Sequence, residues 1–84
     1  MSERSVRVLL FAAARQVVGE GEISLPWSEG ATVATVREGL FALHPGLAGY
    51  ARALRFAVNG DYAKDDDPVR EGDEVAVIPP VAGG

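Results

Sequence analysis

The sequence predicts a single α+β domain in which one main helix packs on one face of a β-sheet. Five short stretches that are apolar or alternating, each bounded by turn residues, have the length and composition of strands. One longer stretch carries apolar residues at intervals of three and four, the period of an amphipathic helix. The predicted order is β-β-α-β-β-β, and 84 residues leave room for one domain only.

The N-terminal part is predicted to form two strands with a short helix between them. In residues 6–11, one set of alternating positions is valine and leucine, and the other set is also mostly apolar. Such a strand is either central in its sheet or meets a partner with its second face. Residues 12–18 can form a short helix that ends at Gly19, and residues 23–27 form the second strand.

The main helix is predicted to begin after Thr32, whose hydroxyl can cap its first turn, and Thr35 with Glu38 offers an alternative capping box. Gly39 lies in the helix interior, where glycine costs up to ~1 kcal/mol against alanine, so we expect it to mark close packing on the sheet. Residues 44–46 end the helix. Its predicted apolar stripe consists of Val33, Val36, Leu40, Leu43 and Leu47.

The last third is predicted to form a hairpin and one further strand, after a possible short helix over residues 47–54. Residues 56–58 have strand composition and lead into Asn59-Gly60, the strongest two-residue hairpin signal in the chain. A short return strand follows. Gly72 is expected at positive φ before the final strand, which covers residues 74–78.

The final strand is followed by a segment that we expect to leave the domain. Pro79 and Pro80 have no backbone N–H and a fixed φ, so a sheet ladder cannot continue through them. The sequence thus predicts a folded domain over residues 1–78 and an extended C-terminal tail over residues 79–84. A frayed end is the alternative interpretation of this segment.

The composition of the tail favours a functional role. Val81 is the sizeable apolar side chain beyond the prolines. Gly83 and Gly84 carry no Cβ, so the terminal carboxylate can pass through a slot too narrow for other residues.

The overall composition narrows the classes of function. The net charge is −4, with seven acidic and two basic residues between residues 56 and 78, which argues against a nucleic-acid partner and permits a basic protein partner. The absence of cysteine excludes disulfides, thiolate metal sites and a cysteine nucleophile. No apolar run approaches the ~20 residues of a membrane span, and cleavage of the N-terminus as a signal peptide would delete the best strand. We expect a cytoplasmic protein.

Other chemical motifs have structural interpretations. His44 is the only histidine, and we expect it to lie at a helix end. Asp65-Asp66-Asp67 lacks the spacing of a calcium loop, and no helix pattern follows Gly19-Glu20-Gly21 as a phosphate loop requires. We therefore expect no metal site, no cofactor and no active site within the domain itself.

One surface feature leaves two alternatives open. If the valines of the first and last strands face the helix, an apolar patch lies on the opposite face, formed by Leu9, Phe11, Ala76 and Ile78. An exposed patch of this kind usually marks a partner surface. A central strand that is buried on both faces explains the same pattern.

The C-terminal carboxylate then remains as the reactive group. It is ionised at neutral pH, and a carboxylate is a poor electrophile. Activation with ATP would produce an acyl-adenylate, which a sulfur or nitrogen nucleophile can attack. A persulfide donor would leave a thiocarboxylate on Gly84, and a lysine would form an isopeptide bond. Without cysteines, the chain has no thiol of its own to attack the acyl group.

Three segments resemble the small subunit of molybdopterin synthase, the MoaD family. They are residues 6–12 (VRVLLFA), 58–60 (VNG) and 71–84 (EGDEVAVIPPVAGG). The resemblance covers nearly the whole chain, and the G-D-E-V and P-P-V-x-G-G ending is specific. It implies a ubiquitin-like β-grasp fold, a mixed sheet whose first and last strands are parallel at its centre.

The resemblance also implies a mechanism and partners. An adenylating enzyme of the ubiquitin-activating type would activate Gly84, and a sulfurtransferase or cysteine desulfurase would supply the sulfur. The large synthase subunit would receive the tail within a heterotetramer, and sulfur would pass to cyclic pyranopterin monophosphate to form the dithiolene of molybdopterin. Gln16 departs from the acid that many members carry at this position, without affecting the tail.

Site residues are carried over by position. Gly84 would bear the sulfur and Gly83 would fit the slot that leads to the reaction. Apolar contacts with the large subunit correspond to Phe11, Tyr62 and Ile78. The remaining tail residues that would bind the partner are Pro79, Pro80, Val81 and Ala82.

Three alternatives remain from the sequence. Carriers for thiamine or tRNA thiolation share the fold and the G-G end, although the P-P-V-A-G-G tail favours the molybdopterin branch. A protein modifier is also possible, with Lys64 as the only lysine for chain building. The third alternative is an interaction domain with an inert tail.

Overall fold

The computed structural model describes residues 4–79, and these follow the predicted order of elements. The α-helices are α1 (Ala12–Val18) and α2 (Val33–Leu43), and a 3₁₀ helix covers Pro45–Tyr50. The strands are β1 (Ser5–Leu10), β2 (Glu22–Pro26), β3 (Arg55–Val58), β4 (Asp61–Ala63) and β5 (Glu74–Ile78).

The strands form one mixed sheet in the order β2-β1-β5-β3-β4. β1 and β5 are parallel neighbours, with Val8 level with Val75, and the other neighbouring strands are antiparallel. The last strand of the chain therefore lies at the centre of the sheet beside the first. This arrangement confirms the mixed sheet and the parallel central pair that the resemblance implied.

One face of the sheet, called the covered face below, packs against the helices. Alternate residues of β1 and β5 point to this face, because side chains of a strand alternate between the two sides. The apolar stripe of α2 packs onto them and excludes water from the interface. The most deeply buried strand and α2 residues are Val6, Val8, Leu10, Val33, Leu40, Val75 and Val77.

Three tight turns confirm the predicted positions of the turn residues. Asn59 and Gly60 have φ values of 50° and 93°, the pair of positive angles that a type I′ hairpin between β3 and β4 requires. Gly72 precedes β5 with φ 82°. Gly19 ends α1 with φ 90°, and its N–H donates to the Arg15 carbonyl at 2.7 Å.

The start of α2 differs in detail from one of the predicted alternatives. Thr32 caps the helix, and its hydroxyl accepts from the Thr35 N–H at 3.4 Å. The Thr35 hydroxyl accepts from the Thr32 N–H at 3.0 Å, so the capping box joins these two threonines. The alternative box between Thr35 and Glu38 is wrong.

Two expectations for the interior and end of α2 are wrong. Leu43 was predicted to lie on the apolar stripe, but 59% of its surface is exposed. Gly39 was expected to mark close packing on the sheet, yet a Cβ built there would lie 3.9 Å from Leu25 Cδ1, an ordinary van der Waals contact. The helix ends at Leu43, and Leu47 reaches the core from the 3₁₀ helix instead.

Among residues 4–79, no helix combines the length and the apolar character that a bilayer span requires.

Candidate functional site

The second face of the sheet, called the open face below, is formed by Leu9, Ala57, Tyr62, Ala76 and Ile78. The strand register sets Leu9 level with Ala76, Ala76 level with Ala57, and Ala57 level with Tyr62. Leu9, Ala76 and Ile78 each keep part of their surface in contact with solvent. The structure therefore decides between the two alternatives for this pattern, since β1 and β5 are buried on one face and partly exposed on the other. Ala57 of β3 is the buried member of the open face.

The structure brings the three predicted apolar contact residues onto this face. Phe11 follows β1 with an extended backbone (φ −123°, ψ 154°), so the strand alternation continues and its side chain, 48% exposed, lies on the open side. Because Leu10 is level with Val77, Phe11 comes level with Ile78. Tyr62 is 74% exposed on β4, at the far side of the same face.

A partly exposed apolar surface with two aromatic side chains suits protein recognition. Phe11 and Tyr62 each offer a large rigid ring, and aromatic residues are enriched at the centres of protein interfaces. Burial of one such ring by a partner would contribute roughly 1.5–3 kcal/mol. The open face thus has the composition of an interface centre.

A group of charged side chains lies on the open face at the end of the sheet away from Phe11. The Arg7 guanidinium lies 3.0 Å from the Glu74 carboxylate and 3.5 Å from that of Glu22. All three side chains are partly exposed, so each pair contributes at most about 1 kcal/mol to stability. The two carboxylates outnumber the single guanidinium, so this group of three charges is acidic by one unit.

The predicted tail begins at the opposite end of the sheet, next to Ile78. β5 is hydrogen-bonded to a strand on each side, so its end is held in place relative to the open face. Pro79, the last residue described, is buried. The other predicted tail residues lie outside the described range; they are Pro80, Val81, Ala82, Gly83 and Gly84.

The residues before β5 form a hydrogen-bonded corner that sets the position of this strand. The Asp73 carboxylate accepts from the Arg70 N–H at 2.8 Å and from Asn59 Nδ2 at 3.0 Å. The Asn59 side-chain oxygen accepts from the Glu74 N–H at 3.0 Å, and the Arg7 N–H donates to the Asp73 carbonyl at 3.0 Å. Three strands are therefore joined at this point.

The same hydrogen bonds stabilise the charged form of Asp73. The Arg70 N–H and then the Asn59 amide lower the pKa of the Asp73 carboxyl below its ordinary value. Burial opposes them, and the positive charge of Arg70 adds a smaller lowering effect on this pKa. The G-D-E sequence of the resemblance thus has a structural role in holding β5, the strand that precedes the tail.

The other chemical motifs have structural partners. His44 caps the end of α2, as predicted, and its N–H donates to the Leu40 carbonyl at 2.8 Å. Asp65 pairs with Arg37, and the Asp67 carboxylate accepts from the Lys64 N–H at 2.8 Å. Within residues 4–79, no group of three or more His, Cys, Asp or Glu side chains is arranged to hold a metal ion.

An apolar cavity of about 290 Å³ between α2 and β2 was not predicted. It lies beside Gly39, whose missing side chain leaves room, and Leu43 and Trp27 contribute to its wall. The Trp27 ring is fixed there by its N–H, which donates to the Val69 carbonyl at 2.7 Å. Gly39 in the helix interior is a sequence signal for this cavity, whereas the prediction was close packing at that position.

Two further residues of the open face were not predicted from the sequence. Ala57 lies on the open face beside Ala76, and Arg55 is level with Ile78. The Asn59-Gly60 turn could have predicted that Ala57 faces Tyr62, since a two-residue turn sets the hairpin register. The neighbour of β3 on its other side depends on strand order, for which the sequence carried no local signal.

Comparison with known proteins identifies the family. A model of the ThiS family matches residues 8–84, which includes most of β1, all of β5 and the whole predicted tail. The chain belongs to the ThiS family. One relative with a similar sequence is the molybdopterin synthase sulfur carrier subunit of Chlamydomonas reinhardtii. The two sequences are 36% identical over 81 residues, which cover 94% of this chain and 98% of the relative.

Solved structures show the same fold. The crystal structure of the small archaeal modifier protein SAMP1 from Haloferax volcanii is 29% identical with a TM-score of 0.84, and the match covers 95% of this ThiS chain and 99% of that one. A complex of subunits 1 and 2 of the molybdopterin-converting factor from Helicobacter pylori contains a similar chain, 21% identical with a TM-score of 0.68, over 95% and 99% of the two chains. The latter likeness concerns the β-grasp fold alone.

Proposed function

We propose that this chain is the sulfur carrier subunit of a molybdopterin synthase and that Gly84 carries the sulfur. The observation that carries the proposal is the family match, which extends through the final Gly83-Gly84. The Chlamydomonas relative, which matches over nearly its full length, bears the name of such a subunit. The open face beside the start of the tail supports the proposal, because a carrier has to dock on the enzymes that load and unload it.

Loading begins at the Gly84 carboxylate. An adenylating enzyme of the ubiquitin-activating type transfers AMP from ATP to this carboxylate and releases pyrophosphate. The terminal sulfur of a persulfide, supplied by a sulfurtransferase or cysteine desulfurase, then attacks the acyl carbon and displaces AMP. A thiol of the donor attacks the resulting S–S bond, which leaves a thiocarboxylate on Gly84 and a disulfide on the donor.

Unloading takes place on the large subunit of the synthase. In this proposal Phe11, Tyr62 and Ile78 bind that subunit, and the tail enters its pocket. Each thiocarboxylate passes one sulfur to cyclic pyranopterin monophosphate, and hydrolysis of the acyl–sulfur bond returns Gly84 to a carboxylate. Two loaded chains therefore supply the two sulfur atoms of the dithiolene. The chain is a non-catalytic subunit of the resulting heterotetramer, and the reactions take place in the cytoplasm.

In this proposal the domain (residues 1–78) and the tail (residues 79–84) have different roles. The domain supplies a fixed starting point at the end of β5 and a docking surface beside it. Pro79 and Pro80 restrict the backbone, so the tail loses less conformational entropy when it enters a pocket. Ala82 and Gly83 are small enough for a narrow channel, and Val81 offers one apolar contact.

Intact-mass measurement tests the loading step. The chain is incubated with ATP, an adenylating enzyme and a persulfide donor, and the expected mass change equals the exchange of one oxygen for sulfur. A variant with one alanine added after Gly84 is the control; it should unfold at the same temperature and remain unloaded. An unchanged mass of the natural chain with every adenylating enzyme tried, or loading of the extended variant at an internal position, contradicts the proposal.

Co-purification tests the pathway. A molybdopterin synthase large subunit expressed with the chain should form a stable complex and yield molybdopterin from cyclic pyranopterin monophosphate once the chain is loaded. A chain that loads with sulfur but binds no large subunit would instead serve thiamine or tRNA thiolation.

The similarity to SAMP1 favours protein modification as a second candidate function. The same acyl-adenylate would then react with a lysine amine and form an isopeptide bond. Trypsin cleaves after Arg70, so a modified lysine would carry residues 71–84 as a branch. Mass spectrometry of cell extracts for this branched peptide distinguishes a modifier from a carrier that acts only through the thiocarboxylate.

A further inference from the structure

The charges along the open face differ between its two ends. At the end away from the tail, Arg7 is compensated by Glu22 and Glu74 at 3.5 and 3.0 Å. At the tail end, Arg55 stands level with Ile78 across the β3–β5 pair, and its residue surface is exposed. The tail therefore starts beside a cation.

A second cation lies next to the first. Ala63, the last residue of β4, is level with Phe56 of β3 in the antiparallel pair. Lys64 follows Ala63 and Arg55 precedes Phe56, so the antiparallel register, continued by one residue, sets Lys64 next to Arg55. Lys64 is also exposed. From Phe11 through Ile78 to this pair, the row nearest the tail changes from apolar to basic.

The acidic residues nearby in sequence do not compensate Arg55. Asp65 pairs with Arg37 of α2, and the Asp67 carboxylate accepts the Lys64 backbone N–H. Within the part of the chain that the structure describes, no salt bridge involves Arg55 or the Lys64 ammonium. Asp66 remains as an exposed carboxylate two positions after Lys64 in the sequence, and it forms no salt bridge with either cation.

Arg55 and Lys64 are positively charged, whereas the chain as a whole has a net charge of −4. A guanidinium presents paired N–H donors that match a carboxylate, and the contact strengthens where apolar neighbours exclude water. Phe11 and Ile78 supply such neighbours at this end of the face. A partner that covers the open face would place its own residues over Arg55.

We propose that Arg55, assisted by Lys64, forms a basic corner of the open face that receives an acidic side chain of the synthase large subunit. The carboxylate binds the guanidinium while the apolar residues of the face are buried. The corner sets the orientation in which the two subunits dock, and so directs the tail that starts beside Ile78. The inference rests on the proposed function, since it names a contact of the same partner.

The test compares charge reversals on the full-length chain. Arg55→Glu should raise the Kd for the cognate large subunit about 50-fold, Arg55→Leu about tenfold, and Lys64→Glu about threefold. Arg52→Glu makes the same charge change on an exposed arginine outside the sheet and should alter Kd less than twofold. Thermal unfolding of each variant confirms that the fold is retained, which an exposed position predicts.

Salt dependence and reciprocal mutation complete the test. The Kd of the natural chain should rise with ionic strength more steeply than that of Arg55→Leu. An acid-to-arginine change on the large subunit should restore the binding of Arg55→Glu. Equal effects of Arg55→Glu and Arg52→Glu, at a measurable Kd of the natural chain, overturn the basic corner and leave the proposed function standing. No binding by the natural chain overturns the proposed function and this inference together.

Discussion

The two faces of the sheet use alternate residues of the same strands for different purposes. On the covered face, Val8 and Val77 are fully buried against the helices. On the open face, Leu9 and Ala76, their immediate neighbours in sequence, keep contact with solvent. A strand has a period of two, so one segment can serve stability with one side and recognition with the other.

This comparison explains why a chain of 84 residues has so apolar a first strand. A small domain needs the covered face for its core, because it buries only a little over ~60% of the surface of the unfolded chain. The apolar residues of the open face add little to that core, and their value lies in the partner that covers them. Substitutions on the two faces should therefore have separable effects.

The largest expected effect is on the covered face. Leu40→Ala should lower the free energy of unfolding by about 2–5 kcal/mol, because the fully buried side chain leaves a cavity under α2. Leu43→Ala on the same helix is the matched control and should cost less than about 1 kcal/mol, since Leu43 is largely exposed. Denaturant unfolding measures both. Similar losses would mean that Leu43 contributes to the core after all.

The second effect concerns the open face. Tyr62→Ala should change the free energy of unfolding by less than about 0.5 kcal/mol, because the ring is exposed, but should raise the Kd for the large subunit by roughly 10–30-fold. Tyr50→Ala, in the 3₁₀ helix, is the control and should leave Kd unchanged. Equal Kd values for the natural chain and Tyr62→Ala would place the interface elsewhere.

The third effect tests the corner that positions β5. Asp73 has a pKa in the folded protein below its ordinary value, so its carboxylate stabilises the fold above the unfolded pKa of about 3.9, and this contribution is lost as the pH falls through the folded pKa. Asp73→Asn should therefore cost about 1 kcal/mol at pH 7, because an amide cannot accept from both Arg70 and Asn59 in the same way.

The pH dependence provides the check on this prediction. The difference in stability between the natural chain and Asp73→Asn should be constant above about pH 5 and should shrink below about pH 4. Asp66→Asn, an exposed control, should change stability by less than about 0.5 kcal/mol. A difference for Asp73→Asn that persists unchanged to pH 2 would show that its charge has no part in the corner.

The smallest effect tests the space beside α2. Gly39→Ala should raise the free energy of unfolding by about 0.5–1 kcal/mol, because alanine favours the helix and its Cβ would make only an ordinary contact with Leu25. Gly60→Ala is the contrasting variant and should destabilise the protein, since φ is 93° there. A loss of stability in Gly39→Ala would restore our original expectation of close packing.

Much of the fold could be predicted because its signals are local. The turn at Asn59-Gly60, the positive φ at Gly72 and the cap at Thr32 each depend on residues within a few positions of one another. The bounds of β5 and α1 matched the predicted ranges for the same reason. Helix interior details were less predictable, since the exposure of Leu43 and the space at Gly39 depend on where β2 lies.

The features of the candidate site also separate into those that the sequence determines and those that depend on the tertiary structure. The sequence alone determined that the chain has no cysteine, that its end carries two glycines after two prolines, and that its first strand is apolar on both sides. These features come from residue chemistry and need no contact between distant parts. They were enough to predict the tail as the reactive segment, whereas the family was predicted from the resemblance of residues 6–12, 58–60 and 71–84.

Only the tertiary structure decided what surrounds the start of that tail. Strand order sets Arg55 beside Ile78 and joins Arg7 to Glu74, which are 67 positions apart in the sequence. It also leaves Leu9 and Ala76 open, where the pattern permitted burial on both faces. Pairing between distant strands depends on the packing of the whole chain, so periodicity can show that a residue lies on a strand face but cannot show what lies next to it.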